Sequence, residues 1–231
     1  MSEDENLPPL GTRLRGPVPT GTRLLFVRHG ESHANAHGIA GGQLGDGGLT
    51  DRGRRQAEAL RDRLAQSREL SAAAAFYCST LPRAIETAEI LRPALPQKLP
   101  LEHDESLVEL KVGIIDGLSW REASSRYPAP DWDQEPLEPC APGGESLLEF
   151  HERCVQCVAK LTQRHPGELV VIVAHGGVIE QVMKIHQGLA PGFRMQLRIE
   201  NCSMTEIEFR ASTSRLLRFN DLAPLAAPPQ R

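Results

Sequence analysis

Residues 24–32 read Leu-Leu-Phe-Val-Arg-His-Gly-Glu-Ser, so that four apolar residues lead into a cation, an imidazole and a glycine. An uninterrupted apolar run is typical of a strand buried on both faces of a parallel sheet. A glycine directly after such a strand lets the backbone come close to a ligand. The stretch therefore predicts a buried strand that ends at a phosphate-handling site.

A second stretch repeats this arrangement far downstream. Residues 169–174 read Leu-Val-Val-Ile-Val-Ala, and His175-Gly176-Gly177 follow. In open α/β sheets, ligands bind outside the carboxyl ends of the strands. Because His29 and His175 each follow a buried strand, we expect the two imidazoles to converge there. A single histidine at a strand end is as often a structural residue with satisfied hydrogen bonds as it is a functional one. Two at equivalent positions favour a functional site.

Composition and charge limit the classes of partner. The chain has 231 residues, of which 40% are hydrophobic, and a formal net charge of -4. This predicts one sizeable α/β domain, and the lack of a long basic block favours a small-molecule partner over a nucleic acid. No apolar stretch approaches the roughly 20 residues that span a bilayer. The start of the sequence lacks the features of a secretory signal, so we expect a cytoplasmic protein with no membrane partner. The sequence leaves the oligomeric state open.

The distribution of proline, glycine and apolar residues predicts the domain organisation. Residues 1–20 and 222–231 are expected to be flexible tails, because they lack periodicity. Residues 21–221 are expected to form one catalytic domain, in which about 118–144 form a small lid. Apolar residues alternate over 205–219, as in an antiparallel hairpin. The predicted fold is α/β, with three α/β/α layers, a mostly parallel central sheet, an antiparallel edge hairpin and the lid insertion.

Two helix starts can be read from capping signals. Thr50 is expected to cap one helix, and Thr80 is expected to cap another whose first turn contains Pro82 and Arg83. A cation in the first turn opposes the positive end of the helix dipole. A bound anion would reverse this penalty, and a guanidinium matches phosphate oxygens. Arg83 is therefore a candidate phosphate ligand, with a solvated surface arginine as the alternative.

Two residue pairs have spacings that raise the question of a metal. Cys154 and Cys157 lie on the apolar stripe of an amphipathic helix, so core packing is favoured over a redox or metal pair. His33 and His37 lie four residues apart, with no carboxylate or cysteine set at metal spacing. We expect no metal site and no cofactor.

Several motifs occur in order along the chain: Arg28-His29-Gly30-Glu31-Ser32 with Asn35, Leu49-Thr50 with Gly53 and Gln56-Ala57, Ser79-Thr80-Leu81-Pro82-Arg83-Ala84 with Thr87-Ala88, Glu109 with Gly113 and Gly117, Gly144-Glu145-Ser146, and Ala174-His175-Gly176-Gly177. Each is weak alone, but the combination is specific. In combination they resemble the histidine phosphatase superfamily, in its phosphoglycerate-mutase-like branch, over about residues 24–209.

The resemblance implies that His29 attacks phosphorus and becomes a phosphohistidine. An imidazole is largely neutral near pH 7 and keeps a nucleophilic nitrogen. Arg28, Arg83 and a protonated His175 would surround the oxygens of the transferring phosphoryl group. Glu109 would be the general acid for the leaving oxygen and then the base for water. An ordinary surface carboxylate is the alternative for Glu109.

Three further residues are expected to contact the phosphate. Asn35 would add a hydrogen bond, and Gly176 would contribute through its place at the start of a helix. Ser32 is an equally good candidate for a local cap.

Departures from the mutase pattern favour a phosphatase. The glycolytic mutases of this branch carry a tyrosine, a lysine and paired arginines after the general acid, whereas residues 110–117 here read Leu-Lys-Val-Gly-Ile-Ile-Asp-Gly. They also tend to have asparagine where Gly177 stands. We therefore predict hydrolysis of a small-molecule phosphomonoester, with water as acceptor. A phosphoglycerate-type mutase is the alternative, and a non-catalytic module that binds a phosphorylated ligand is a third possibility.

The substrate itself stays open at this stage. The cations Lys111, Arg121 and Arg126 could meet an anionic leaving group. The aromatic residues of the same region could stack on a sugar or ring, and packing explains them equally well. They are Trp120, Tyr127 and Trp132.

Overall fold

The computed structural model describes residues 21–222, except Leu44, Asp133 and Arg194. The tails expected at 1–20 and 222–231 lie outside the described residues, apart from Leu222, which is exposed. No helix in the described part of the chain is long and apolar enough to cross a membrane.

A mixed sheet forms the centre of the molecule. Its strands, in the described residues, are β1 Thr22–Arg28, β2 Ala73–Cys78, β3 Leu101–His103, β4 Leu169–Ala174, β5 Met204–Phe209 and β6 Ser214–Asp221. Their order across the sheet is β3-β2-β4-β1-β5-β6. The first four of these are paired in parallel, whereas β5 is antiparallel to both β1 and β6. The mostly parallel sheet with an antiparallel edge hairpin is confirmed.

Helices cover both faces of the sheet. They are α1 His33–His37, α2 Asp51–Ser67, α3 Pro82–Leu91, α4 Trp120–Arg126, α5 Leu147–Arg164 and α6 Gly176–Gln187. Short 3-10 turns lie at Arg92–Ala94, Glu105–Leu107 and Gly113–Ile115. One apolar cluster joins the sheet to α2 and α3, and a second joins it to α5 and α6. The three layers are therefore as predicted.

Strand β1 shows why the layers form. Successive side chains of a strand point to opposite faces. Accordingly Leu24 and Phe26 belong to the cluster with α5 and α6, whereas Leu25 and Val27 belong to the cluster with α2 and α3. All four are essentially buried, and each such side chain contributes roughly 1.5–3 kcal/mol. The apolar run thus holds β1 in the middle of the sheet, with its carboxyl end at a fixed place.

The two predicted helix caps have different outcomes. Thr50 caps α2, since its hydroxyl accepts a hydrogen bond from the Gly53 amide at 3.0 Å. The prediction of Thr80 as a cap is wrong, because α3 begins at Pro82 and Leu81 is the N-cap residue, without a side-chain bond. Proline lacks an N–H, so the first turn has one donor fewer to satisfy and tolerates an apolar cap.

The region 118–144 packs as a small unit of its own. It starts with α4 and continues in turns, and a third apolar cluster joins it to the chain around Ala40 and Val112. Tyr127 and Trp132 pack against this cluster, which supports the packing interpretation of both residues.

The two cysteines of α5 lie in the core, and β3 lies close to its predicted position. Cys154 and Cys157 are buried in the core, as the packing interpretation requires, and burial raises the pKa of the Cys157 thiol to about 11. Strand β3, expected near Leu99–Leu101, lies two residues later.

Candidate active site

The register of β1 and β4 brings the two histidines together. Arg28 pairs with Ala174 at the carboxyl ends of these parallel strands. A histidine directly follows the last residue of each strand, and the His29 amide donates to the Ala174 carbonyl at 3.0 Å. The two imidazole centroids lie 5.1 Å apart. The convergence expected from the sequence is therefore present.

One ring nitrogen of His29 keeps an unprotonated lone pair. Its Nδ1 lies 2.6 Å from the Gly30 carbonyl oxygen. Because a carbonyl only accepts, Nδ1 carries the proton and Nε2 keeps its lone pair. Burial, together with the guanidinium groups of Arg83 and Arg28, lowers the pKa of His29 well below its usual value. The imidazole is therefore neutral and has an available electron pair.

Arg83 is buried beside this nitrogen and is fully engaged by polar partners. Its Nε donates to His29 Nε2 at 3.2 Å, and Nη1 donates to Asp46 Oδ2 at 2.8 Å. The carbonyls of Gly41 and Gly42 accept from Nη2 and Nη1. With 3% of its side chain exposed, it is not a solvated surface arginine. A buried ion pair of this kind fixes where the guanidinium stands.

Two buried polar atoms next to the histidines lack a partner among the described residues. They are Arg28 Nε and His175 Nδ1. Elsewhere the Arg28 side chain is held in place, because its Nη1 donates to the Ile199 carbonyl. Buried polar groups are satisfied in the great majority of cases, so each exception calls for an explanation. An oxygen-rich anion beside His29 would satisfy both atoms.

Ser79 determines the tautomer of His175. The Ser79 hydroxyl lies 2.7 Å from His175 Nε2 and accepts a hydrogen bond from the Leu81 amide at 3.3 Å. A hydroxyl can accept two hydrogen bonds, so the Leu81 amide alone does not decide the direction. Ser79 is fully buried, however, and among the described residues Nε2 is the one acceptor of its hydrogen, so we place the His175 proton on Nδ1. Burial and the charge of Arg83 lower the pKa of His175 well below its usual value. The lowered pKa favours a neutral His175 in the free site. The protonated form expected from the sequence concerns the site with a phosphoryl group bound, and it stays a prediction.

Glu109 lies on the start of α6. Its Oε2 accepts from the Gly177 amide and its Oε1 from the Leu110 amide, both at 3.0 Å. A Cβ added at Gly177 would come within 2.2 Å of Glu109 Oε1. A side chain at 177 would therefore displace this carboxylate, and 177 is the position where mutases of the branch tend to have asparagine.

One cavity of about 390 Å³ contains most of the predicted residues. Ser32 and Asn35 line it and also form the capping box of α1. Ser32 therefore caps α1, which is the local role named as the alternative to phosphate binding. Asn35 accepts through Oδ1 from the Ser32 amide and from Asn201 Nδ2, each at 3.4 Å, so its own amide nitrogen stays free to donate to a ligand. Other predicted residues in the lining are Arg28, His29, Arg83, Glu109 and Gly176.

The lid contributes less to the cavity than the sequence suggested. Trp120 lines the cavity, whereas the cations Lys111, Arg121 and Arg126 are not part of its lining. His33 and His37 stack on each other with ring centroids 6.2 Å apart. Among the described residues, no group of three potential metal ligands is present.

Several functional candidates were missed by sequence analysis. Asp46 stands in a glycine-rich loop, and no local pattern links it to Arg83. The Ile199 carbonyl accepts a hydrogen bond from the Arg28 side chain. Two residues later, Asn201 Nδ2 donates to the His29 carbonyl at 2.9 Å. Glu180 also lines the cavity, one helical turn after Gly176. Of these residues, only Glu180 could have been predicted from the sequence, because it lies one helical turn after the His175-Gly176-Gly177 motif.

Known proteins share this fold over nearly its whole length. Phosphoglycerate mutase-like protein 4 of Arabidopsis thaliana is 35% identical over 185 residues, which cover 78% of this chain and 76% of that protein. The metal-independent phosphoserine phosphatase of the same plant is 29% identical over 213 residues, covering 89% and 84%. The structure of Bacillus stearothermophilus YhfR has a TM-score of 0.76 at 31% identity, covering 88% of this chain and 99% of that one.

The family model described as histidine phosphatase superfamily (branch 1) matches residues 24–222. This match begins in β1, which carries His29, and includes the strand that carries His175. With both histidines at the carboxyl ends of adjacent strands, the chain belongs to the histidine phosphatase superfamily, branch 1.

Proposed function

We propose that the protein is a metal-independent phosphomonoesterase in which His29 is the nucleophile and water is the final acceptor. The observation that carries this proposal is the state of His29. Its Nδ1 is tied to the Gly30 carbonyl at 2.6 Å, so the lone pair of Nε2 is exposed to a cage of cations and donors. An imidazole held in this way needs neither a separate base nor a metal ion to attack phosphorus.

The first step transfers the phosphoryl group to the enzyme. His29 Nε2 forms a bond to phosphorus while the bond to the ester oxygen breaks. Glu109, which must enter this step protonated, gives its proton to that oxygen, and the alcohol leaves. In the second step a water molecule attacks the phosphohistidine, Glu109 takes a proton from the water, and the bond between phosphorus and nitrogen breaks. Inorganic phosphate leaves, and both residues return to their starting states.

The neighbouring donors stabilise the charge that develops on the phosphoryl oxygens. In the free site Arg83 Nε donates to His29 Nε2, so a phosphoryl oxygen that takes over this donor also releases the lone pair for attack. Arg28 Nε and His175 Nδ1 are buried and have no hydrogen-bond partner in the part of the chain that the structure describes, so they would bind further oxygens. The negative charge of the substrate would favour the protonated form of His175. Each such donor is typically worth about 3 kcal/mol in the transition state.

A phosphatase accounts for the cavity better than a mutase does. The cations that could have held a substrate carboxylate, Lys111, Arg121 and Arg126, are not in the lining. A relative of similar length is a metal-independent phosphoserine phosphatase, which supports a small phosphorylated substrate. The mutase alternative keeps the support of the phosphoglycerate mutase-like relative. A non-catalytic module would not need to retain the complete set of reacting residues. A cytoplasmic location and the absence of a nucleic-acid partner stay predictions.

The test is to trap the phosphoenzyme. The protein is mixed with a phosphomonoester, quenched with alkali, which preserves phosphohistidine, and analysed by peptide mass spectrometry. We expect the phosphoryl group on His29, loss of activity in His29→Ala, and retention of activity in His33→Ala, which removes an exposed imidazole outside the cavity lining. Chelators should have no effect, and vanadate should inhibit.

Two outcomes would contradict the proposal. Activity that a chelator removes and a divalent metal restores would indicate metal-dependent hydrolysis. Conversion of 3-phosphoglycerate to 2-phosphoglycerate, without release of inorganic phosphate, would establish the mutase.

A further inference from the structure

A second carboxylate lies in the substrate cavity beside the general acid. Glu180 stands three residues after Gly177 on α6, and residues at this spacing share one face of a helix. Because the Gly177 amide holds Glu109, the two carboxylates are neighbours along the same wall. The Glu180 side chain is 30% exposed and lines the cavity, so it is accessible to the leaving group of a bound ester.

The cation that pairs with Glu180 lies behind it. Lys184 Nζ is 3.3 Å from Glu180 Oε1 and also donates to the Pro191 carbonyl at 3.0 Å. The Lys184 side chain is 1% exposed and is not part of the cavity lining. A ligand in the cavity therefore approaches the carboxylate first. Burial raises the pKa of Glu180, the charge and hydrogen bond of Lys184 oppose this rise, and the charge of Glu109 adds to it, as expected for two acids that face one space.

Two other residues of the cavity lining bear on the charge of a ligand. Trp120 lines the cavity with 55% of its surface exposed, and an indole face attracts ammonium groups. Apart from Arg28 and Arg83 at the phosphoryl site, Arg198 is the one cation that the described residues contribute to the lining. Its side chain is 87% exposed and its Nε lies 2.5 Å from Glu200 Oε1, so its charge is paired and screened by water.

We propose that Glu180 is a specificity-determining residue, and that the enzyme prefers phosphomonoesters of amino alcohols, whose ammonium group would lie between Glu180 and Trp120. Esters whose leaving group carries a carboxylate are disfavoured at this wall by like-charge repulsion. The inference rests on the proposed phosphatase function, and it narrows the substrate to a class defined by the charge of its leaving group.

A matched series of substrates tests this preference. Phosphoethanolamine, 2-hydroxyethyl phosphate and phosphoglycolate share a two-carbon leaving group and differ in its terminal charge. We expect kcat/KM to fall in this order. In Glu180→Gln the ratio between the ammonium and carboxylate esters should fall by about tenfold, which is a conservative share of the Coulomb energy of two charges near a protein surface. Glu122→Gln removes an exposed carboxylate on α4 and should leave the ratio unchanged.

A charge-retaining variant and a binding measurement complete the test. Glu180→Asp should keep the ammonium preference, which separates the effect of charge from that of an altered fold. If Glu180→Gln lowers kcat/KM for all esters equally, or the ratio does not change, the inference is wrong. Calorimetric Kd values for the same esters in a His29→Asn background give the ratio without turnover. If the wild-type protein hydrolysed none of the esters, the proposed phosphatase function would be rejected. A Kd ratio that depends on Glu180 would still support the inference about Glu180 in that case.

Discussion

Glu109 Oε2 accepts a hydrogen bond from the Gly177 amide at 3.0 Å, and a Cβ on that glycine would lie 2.2 Å from the other oxygen of the same carboxylate. Contacts this short do not occur, so any side chain at 177 must displace Glu109. We expect Gly177→Ala to slow phosphoenzyme formation from an alkyl phosphate by about 10²-fold, the contribution typical of a positioned proton donor. Single-turnover quench flow measures this rate of phosphoenzyme formation. Equal rates in the variant and the wild type would show that Glu109 acts from another position.

Glu109→Gln tests the acid itself. An alkyl alkoxide needs a proton to leave, whereas nitrophenolate leaves nearly unaided. The variant should therefore slow phosphoenzyme formation from an alkyl phosphate by about 10²-fold or more, and from nitrophenyl phosphate much less. Formation must be followed in a single turnover, because Glu109 is also the proposed base for water in the second step. An equal slowing for both leaving groups would reject the acid role.

Arg83→Ala should impair catalysis far more than Arg121→Ala. Arg83 Nε lies 3.2 Å from the proposed nucleophile, whereas Arg121 is outside the cavity lining. Loss of a charged partner in the transition state should cost about 3 kcal/mol, measured from kcat/KM for one phosphomonoester. Comparable losses in both variants would mean that Arg121 in the lid contributes as much as Arg83, which would contradict the prediction.

Ser79→Ala should disturb His175 without removing it. The Ser79 hydroxyl lies 2.7 Å from His175 Nε2, and its loss allows the proton to move to that nitrogen. We expect kcat to fall roughly fivefold, equivalent to about 1 kcal/mol for one hydrogen bond. Nitrogen-15 chemical shifts of the imidazole report the tautomer directly. An unchanged Nδ1–H tautomer in the variant would show that Ser79 does not direct it.

The free protein should lose stability as the pH falls below about 6.5. The pKa values of His29 and His175 are both lowered well below normal in the folded state, chiefly by burial. Between the folded and unfolded pKa values, the unfolded chain binds more protons. The stabilisation is therefore complete above the unfolded pKa and declines as the pH decreases. Each imidazole contributes about 1.4 kcal/mol per pH unit in this window.

Denaturant unfolding at pH 7.5, 6.5 and 5.5 measures the effect, and His175→Gln should remove part of the slope. Carboxylates with lowered pKa values, such as Asp221, act only below the unfolded value of about 4. The raised pKa of Glu180 works in the opposite sense, but it is common to both proteins and cancels in their difference. Identical slopes in both proteins would argue against a neutral buried His175.

Local sequence rules were reliable where one residue and its neighbours decide the structure. The apolar runs of β1 and β4 predicted buried strands because few other environments accept so many consecutive apolar residues. Thr50 was recognised as a cap because its hydroxyl needs only an amide three residues away. The same rule failed at Thr80, since Pro82 determines the helix start and moves the cap to Leu81.

The sequence by itself determined the layered fold, the two histidines at adjacent strand ends, and the family to which the chain belongs. These follow from periodicity, from contiguous motifs and from the rule that parallel strands present their carboxyl ends together. Only the tertiary structure decided that Asp46 holds Arg83, that Ser79 lies against His175, and that Glu180 lines the same cavity as Glu109. The physical reason is that hydrogen bonds and charges act through space over a few ångströms. Their partners come from segments whose separation along the chain leaves no periodic signal.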